Sequence, residues 1–259
     1  MYCISLISIS IPHLVTNLGS YCFGHCTNLT IISLPDKINY IGDYCFSFCT
    51  SLNEIDCHSC QYFGSSCFRD CMNLRKFSLK NESFTISSFM FMNDINLAYF
   101  DGVRIVSIEE YGFSHCNSIT NEIIKNVTRL GSNSLECCHD ITTIPKKMIS
   151  IGDFAFCNCK LSKTIYILLT VESIGRFAFR STSIEIVHYC GSTDFSNIQS
   201  IFESDPIKVY VTNKYQFDTF CGFKVIRKQS CNFAILTEDY NPIQFAVGSQ
   251  TRLIRRSNL

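Results

Sequence analysis

A phenylalanine recurs every 21 to 23 residues along most of this 259-residue chain, and this spacing constrains the fold more than any other feature. Leucine takes its place once. The recurring positions are Phe23, Phe46, Phe68, Phe91, Phe113, Leu135, Phe156, Phe179 and Phe202. Periods of this length indicate a solenoid, because one short unit cannot bury its apolar side alone and stacks on its neighbours instead. We therefore expect one stack of about nine rungs.

Each repeat has two halves, which together read I-G-x-x-(C/A)-F-x-x-C-x-x-L-x-x-I-x-(I/L)-P. The second half alternates with period two, which predicts a half-buried strand that ends at the proline. In residues 29–35 (LTIISLP) this places Ile32 inward and Ile31 and Ser33 outward. The first half has apolar residues at its positions one, five, six and nine, which predicts a short helical turn. Its glycine is expected to provide a tight or positive-φ turn.

The units LGSYCFGHCTNLTIISLPDKINY and IGDYCFSFCTSLNEI resemble the BspA-type leucine-rich repeats of bacterial and parasitic-protist surface proteins. The resemblance runs repeat by repeat from residue 6 to about residue 188, and residues 201–228 resemble the terminal segment of protist members. It implies an α/β leucine-rich-repeat solenoid with one parallel β-sheet and short helical turns on the other face. It also implies adhesion or host-protein binding, at the cell surface or after secretion, although a scaffold alone does not define a function.

The repeat register divides the chain into three parts. Residues 1–188 are predicted to form the solenoid, which starts in mid-repeat because residues 6–12 match residues 29–35. Residues 189–228 are predicted to form a degenerate last rung and a C-terminal cap. Residues 229–259 contain no phenylalanine-centred unit and are expected to be loosely packed or disordered.

The 17 cysteines recur mainly before the phenylalanine and three residues after it. Other rungs place Ala155 and Ala178 at the first position and Thr182 at the second, and none of these can act as a thiolate ligand or form a disulfide. We therefore interpret the regular cysteines as small core residues. Disulfides between stacked rungs are the alternative. Residues 57–60 (CHSC) and 137–139 (CCH) are the best metal candidates, but a zinc site usually needs two such pairs.

The charge composition argues against one class of partner, nucleic acid. The chain has 22 basic and 22 acidic residues, so it is not expected to bind nucleic acid.

The chain has no apolar run of about 18 residues, so no transmembrane segment is expected. The N-terminal run MYCISLISISI lacks a basic region and matches a repeat strand, so no signal peptide is recognised. A cytoplasmic location therefore remains an alternative to the cell surface.

No catalytic motif is present. The pairs His25–Cys26 and His115–Cys116 suggest a thiol nucleophile, but adjacent side chains rarely face each other, and other residue types fill these positions in other rungs. We expect no enzyme activity, no catalytic or metal-binding residue and no cofactor.

The outward strand positions are the candidate site for a protein ligand, because they vary in character while the inward positions do not. They are Ile31, Ser33, Glu54, Asp56, Lys76, Ser78, Tyr99, Asp101, Thr164 and Tyr166. Two functions fit such a surface. One is a surface or secreted adhesion protein, as the resemblance implies, and the other is an intracellular scaffold for protein–protein interaction.

Overall fold

The computed structural model describes residues 3–198, 200–203 and 207–228, which form a parallel β-solenoid of about nine turns. The prediction for residues 229–259 lies outside these residues. Most rungs have two short strands, one on each of two faces. We call the surface built from the L-x-x-I-x-(I/L) halves the first face and the surface built from the I-G halves the second face.

The strands of the two faces alternate along the chain. The first face contains β1 (Ser8–Ser10), β3 (Ile31–Ser33), β5 (Glu54–Asp56), β11 (Thr164–Ile167), β13 (Ile186–Tyr189), β14 (Lys208–Thr212) and β16 (Phe223–Lys228). The second face contains β2 (Asn17–Leu18), β4 (Tyr40–Ile41), β6 (Tyr62–Phe63), β9 (Arg129–Leu130), β10 (Ser150–Ile151) and β12 (Ser173–Ile174). Two long strands, β7 (Lys76–Ile86) and β8 (Tyr99–Ile108), belong to both faces. The last short strand, β15 (Thr219–Phe220), pairs antiparallel with β16.

The expectation of one parallel sheet is wrong. Within the described residues the strands form four sheets, with the orders β1-β3, β2-β4-β6, β5-β7-β8-β9-β10-β12 and β11-β13-β14-β16-β15. The pairing of β15 with β16 is antiparallel, and the other pairings are parallel, as stacked rungs require. The third sheet passes from the first face to the second through the long strands β7 and β8.

The recurring phenylalanines lie in the core and stack from rung to rung. The rings of Phe46 and Phe68 are 5.5 Å apart and parallel within 1°, and Phe68 and Phe91 are also 5.5 Å apart. All three side chains are fully buried. Because each ring packs against the next, the core is continuous along the axis, which explains why the chain repeats this residue so strictly.

The predicted short helical turns are not present in the first half of the repeat. Within the described part of the chain the structure has one helix, α1 (Asn121–Ile124), and it lies elsewhere in its rung. Two non-glycine residues per rung are instead left-handed, two positions before and two after the phenylalanine, such as Tyr44 (φ 53°) and Phe48 (φ 59°). The backbone therefore alternates its conformation and cannot continue as a helix.

Hydrogen bonds between rungs stabilise this alternating backbone. The Phe46 N–H donates to the Cys67 carbonyl of the next rung at 2.8 Å, while the Cys45 N–H donates within its own turn to Gly42 at 3.2 Å. A left-handed residue costs roughly 1–2 kcal/mol, and the regular bonds between rungs offset that cost. The spacing of apolar residues alone cannot distinguish this arrangement from a helical turn, because both conformations bury positions one, five, six and nine of the first half of the repeat.

The repeat glycine is required for close approach between backbones. Among the described glycines, only Gly102 and Gly222 have positive φ, so the alternative of a positive-φ turn is wrong for the repeat position. A Cβ on Gly152 would lie 2.5 Å from the carbonyl carbon of Gly131, the equivalent glycine of the preceding rung. The rungs can therefore stack at this distance only because the side chain is missing.

The regular cysteines are core residues, as the sequence predicts, except for Cys22, which is exposed. Cys45 and Cys49 are fully buried free thiols beside Phe46. The structure adds a detail that the sequence does not show. Cys49 Sγ donates to the Phe23 carbonyl of the preceding rung at 3.2 Å, and Cys71 Sγ bonds to Phe46 in the same way at 3.1 Å. Burial raises the pKa of the Cys49 thiol to about 12, so it stays protonated and can donate.

One rung places a carboxyl group in this row of thiols. Asp94 occupies the cysteine position after Phe91 and is fully buried. Its Oδ1 accepts the Cys71 N–H at 2.7 Å, whereas Oδ2 has no hydrogen-bond partner within the described residues. Burial raises the pKa of Asp94 well above its usual value, and the Asp70 carboxylate raises it further.

Candidate functional site

The N-terminal part of the first face presents two rows of outward side chains. Pairing of β5, β7 and β8 aligns Glu54, Lys76 and Tyr99 in one row and Asp56, Ser78 and Asp101 in the other. On β3, Ile31 and Ser33 occupy the matching outward positions. On β3 and β5 the inward residue is buried between exposed neighbours, so the period-two prediction is confirmed for these two strands.

Large apolar side chains lie exposed within these charged rows. Ile31 is 66% exposed and Tyr99 is 68% exposed. Lys76 Nζ lies 3.3 Å from Asp101 Oδ2, and Asp56 contacts His58. Exposed ion pairs of this kind contribute little to stability, so these groups can exchange partners on binding.

A shallow hollow of about 480 Å³ lies on this surface, between Ile31 at one end and Ser78 at the other, with Glu54, Asp56 and His58 in its lining. Apolar and charged groups therefore occur together at the rows, as they do at protein interfaces.

Ser78 was predicted to be an outward, accessible residue, but the structure buries it. It lies in register between Asp56 and Asp101, but it is only 4% exposed. A serine side chain is shorter than its carboxylate neighbours in the row, so it lies below the surface that they form. Strand parity predicts the direction of a side chain but not whether longer neighbours cover it.

The first face is interrupted after β8. The next rung forms the helix α1 there, and the rung after it has no strand between Ile141 and Met148. The second of these rungs is short, because residues 141–145 (ITTIP) reach their proline two residues sooner than residues 29–35 (LTIISLP). Too few residues remain to span the rung as a strand and pair on both sides. The strand row resumes at β11.

Thr164 and Tyr166 lie on β11, beyond this interruption. Both are partly exposed and point outward, while Ile165 and Ile167 are buried. The structure therefore does not place them in one continuous surface with Tyr99 and Asp101. The ten predicted residues form two separate patches, and the two rungs between them have no strand on the first face.

The second patch contains a stack of rings that the sequence analysis missed. Tyr166, His188 and Tyr210 occupy paired positions on β11, β13 and β14, with ring centroids 4.9 and 5.1 Å apart. Lys228 Nζ lies 3.9 Å from the Tyr210 centroid at the far end, a cation–π contact. Burial lowers the pKa of His188, and Lys228 lowers it further, so the imidazole is neutral at neutral pH. The period-two pattern in residues 186–189 (IVHY) and 208–211 (KVYV) is a signal that could have revealed this stack.

The cysteine–histidine pairs do not form a nucleophile in the structure. Cys116 is fully buried, its thiol donates to the Phe91 carbonyl at 2.8 Å, and burial raises its pKa. Cys26 is also buried, and the His25 ring stacks on Phe48. A reactive thiol needs exposure and a lowered pKa, and Cys116 has neither.

The other cysteine candidates are also accounted for. Cys57 and Cys60 are buried free thiols, and Cys137 and Cys138 are free as well. Cys190, outside the regular positions, is disulfide-bonded. Over the described ranges, no group of three or more histidine, cysteine or acidic side chains is arranged to hold a metal ion.

The described residues contain no helix whose length and apolar character would let it span a bilayer.

Comparisons with known proteins agree with this architecture. The model of the BspA type leucine rich repeat region matches residues 1–106 and 100–207, with six copies. None of the curated proteins matches the sequence significantly.

Two solved structures share the fold. One is a leucine-rich repeat protein from Bacteroides ovatus, with 19% identity, a TM-score of 0.53, and coverage of 85% of this chain and 65% of that protein. The other is a leucine rich cell surface protein from Faecalibacterium prausnitzii, with 19% identity, a TM-score of 0.51, and coverage of 81% of this chain and 74% of that protein. This chain thus spans less than two thirds of the length of the Bacteroides protein. The repeat match covers most of the chain and the fold agrees with it, so the chain belongs to the BspA-type leucine-rich repeat family.

Proposed function

We propose that this chain is a non-enzymatic protein-binding module that uses the outward positions of its first face. The observation that carries the proposal is the exposure of Ile31 and Tyr99 within rows of charged side chains. Aromatic residues are enriched at protein interfaces, and a rigid stack of rungs holds these side chains in fixed register without a folding cost on binding.

Its most favoured setting is the cell surface or the extracellular space, where it would act in adhesion or host interaction. Support comes from the family, and from the Faecalibacterium neighbour, which is described as a cell surface protein. The second candidate is an intracellular interaction scaffold. The fifteen free thiols among the described residues favour it, because reducing compartments maintain free cysteine. Labelling of intact cells with a membrane-impermeant amine reagent separates the two settings, because only a surface protein is labelled before lysis.

Site-specific photo-crosslinking tests the binding surface itself. A photoreactive phenylalanine analogue replaces Tyr99 on the first face or, as matched control, Tyr62, which is 60% exposed on the second face. After irradiation in cells of the native source, we expect discrete protein adducts from position 99 and few from position 62. Equal adducts at both positions, or none at position 99, would contradict the proposal.

A further inference from the structure

The interruption of the first face leaves β11 with an open edge. β11 pairs with β13 on one side, through the Lys163 and Ile167 carbonyls, which accept from the next rung. Backbone groups alternate sides along a parallel strand, so the N–H and C=O groups of Thr164 and Tyr166 point to the preceding rung. Within the described chain they have no backbone partner there. An unpaired strand edge is a template for another strand.

A groove lies along this edge. It has a volume of about 770 Å³ and runs between α1 and β11, above residues 142–145 of the short rung. Ile144 and Leu168 contribute apolar surface to its lining. Pockets for small ligands fall in this size range, roughly 300–1,000 Å³.

The charge of the groove is positive. Lys146 and Lys147 line it, and both are exposed without an ion pair within the described chain. Its third lysine, Lys125, is paired with Glu122, the one acidic residue of the lining. The groove therefore has an excess of two positive charges, which favours a segment that carries carboxylates.

The third feature of the groove is the stack of the Tyr166, His188 and Tyr210 rings, which begins beside it. One face of the Tyr166 ring packs on His188, and Tyr166 is also one of the residues that line the groove. In this stack the rings repeat at 4.9 to 5.1 Å, close to the spacing of paired strands, roughly 4.8 Å. An aromatic side chain on a strand paired with β11 would continue the stack at the position opposite Tyr166.

We propose that the groove binds an extended acidic peptide segment of a partner protein, which adds to β11 as a parallel strand. Its backbone pairs with Thr164 and Tyr166, an aromatic side chain stacks on Tyr166, and its carboxylates contact Lys146 and Lys147. The segment completes the row of strands where the rung of residues 141–150 is too short to do so. This inference rests on the proposed protein-binding function and identifies one site and one type of ligand for it.

A synthetic peptide tests the site directly. The probe is the fluorescein-labelled peptide EVTVYVET, whose threonine at position three and tyrosine at position five can align with Thr164 and Tyr166. Fluorescence anisotropy with the full chain is expected to show saturable binding with a Kd on the order of 10 μM. The double variant Lys146→Glu, Lys147→Glu should weaken binding by about tenfold or more. Tyr166→Ala should weaken it by about fivefold, through loss of the stacked ring.

N-methylated peptides test the strand geometry. Methylation of the central valine removes the N–H that would donate to the Thr164 carbonyl, so binding should be lost. Methylation of the neighbouring tyrosine affects an N–H that points away from β11, so it should weaken binding much less. Equal effects of the two methylations, or no effect of the lysine double variant, would overturn the strand-addition proposal.

The two proposals can fail separately. If the peptide does not bind while position 99 still forms protein adducts, the groove inference is wrong and the proposed function stands. If the peptide binds while neither face forms adducts in cells, the groove is a peptide site and the wider first face is not the interface.

Discussion

Replacing Gly152 by alanine is expected to lower the free energy of unfolding by about 3 kcal/mol, at the upper end of what overpacking usually costs. The new Cβ would lie 2.5 Å from the carbonyl carbon and 2.7 Å from the carbonyl oxygen of Gly131. Both are backbone atoms of the preceding rung, so no flexible side chain can move aside. Urea unfolding followed by circular dichroism measures the shift of the midpoint.

Gly19→Ala is the matched control. Gly19 holds the same repeat position, but apart from its chain neighbours no atom lies within 4 Å of the place that a Cβ would occupy. Alanine there should be neutral or should stabilise by up to about 1 kcal/mol, because it reduces the entropy of the unfolded chain. Similar midpoints for the two variants would show that the rungs do not approach each other as closely at Gly152 as the structure indicates.

Replacing Asp94 by cysteine is expected to raise the free energy of unfolding at pH 7 by about 1–3 kcal/mol. The change removes a buried carboxyl group whose Oδ2 lacks a partner within the described residues and restores the thiol that other rungs use at this position. Asp94→Asn is the control for charge alone. It keeps an oxygen that can accept the Cys71 N–H but leaves a polar amide in the core, so it should gain less than cysteine does.

The pH dependence of stability gives an independent check on Asp94. Its pKa is raised in the folded state, so the native protein binds the proton more tightly than the unfolded chain does. The stability contributed by that proton is fully present below the unfolded pKa, about 3.9, and is lost as pH rises through the higher folded pKa. Both substitutions should remove this decline. A wild-type profile that rises with pH over the same range, or that the variants share, would contradict this assignment.

The sequence was most informative about the inward residues. Phe46, Phe68 and Cys45 recur at fixed spacing and lie in the core, because a core position shared by stacked rungs admits few side chains. The strand halves were also predictable, since Ile32 and Ile55 alternate with exposed neighbours. These features were predictable because buried positions require apolar residues, so the hydrophobic pattern of the sequence indicates which positions are buried.

The helical turn was predicted wrongly because hydrophobic pattern does not specify backbone conformation. Cys45, Phe46 and Cys49 can be buried by a helical turn or by alternating right- and left-handed residues. The deciding factor is the set of hydrogen bonds to the next rung, such as Phe46 N–H to Cys67, which no single repeat contains. Tyr44 and Phe48 adopt positive φ although neither is glycine, so their residue types do not indicate a left-handed conformation.

The outward direction of most candidate residues was predictable, but their arrangement on the surface was not. The outward direction of Glu54 and Tyr99 follows from parity, whereas the split between Asp101 and Thr164 depends on the short rung. The 21-residue step from Leu135 to Phe156 was visible in the sequence, but its effect on strand pairing was not. The open edge of β11 is a consequence of three-dimensional stacking.

Amide hydrogen exchange along β11 tests this open edge most directly. The amides of Ile165 and Ile167 face β13 and pair with it, so they should exchange slowly. The amides of Thr164 and Tyr166 face the groove and should exchange much faster, by about a hundredfold or more, although they lie in the same short strand. That alternation, read by nuclear magnetic resonance on the full chain, is the predicted result. Uniform protection of all four amides would contradict it, because it would show that the preceding rung pairs with β11 and that the first face has no open edge.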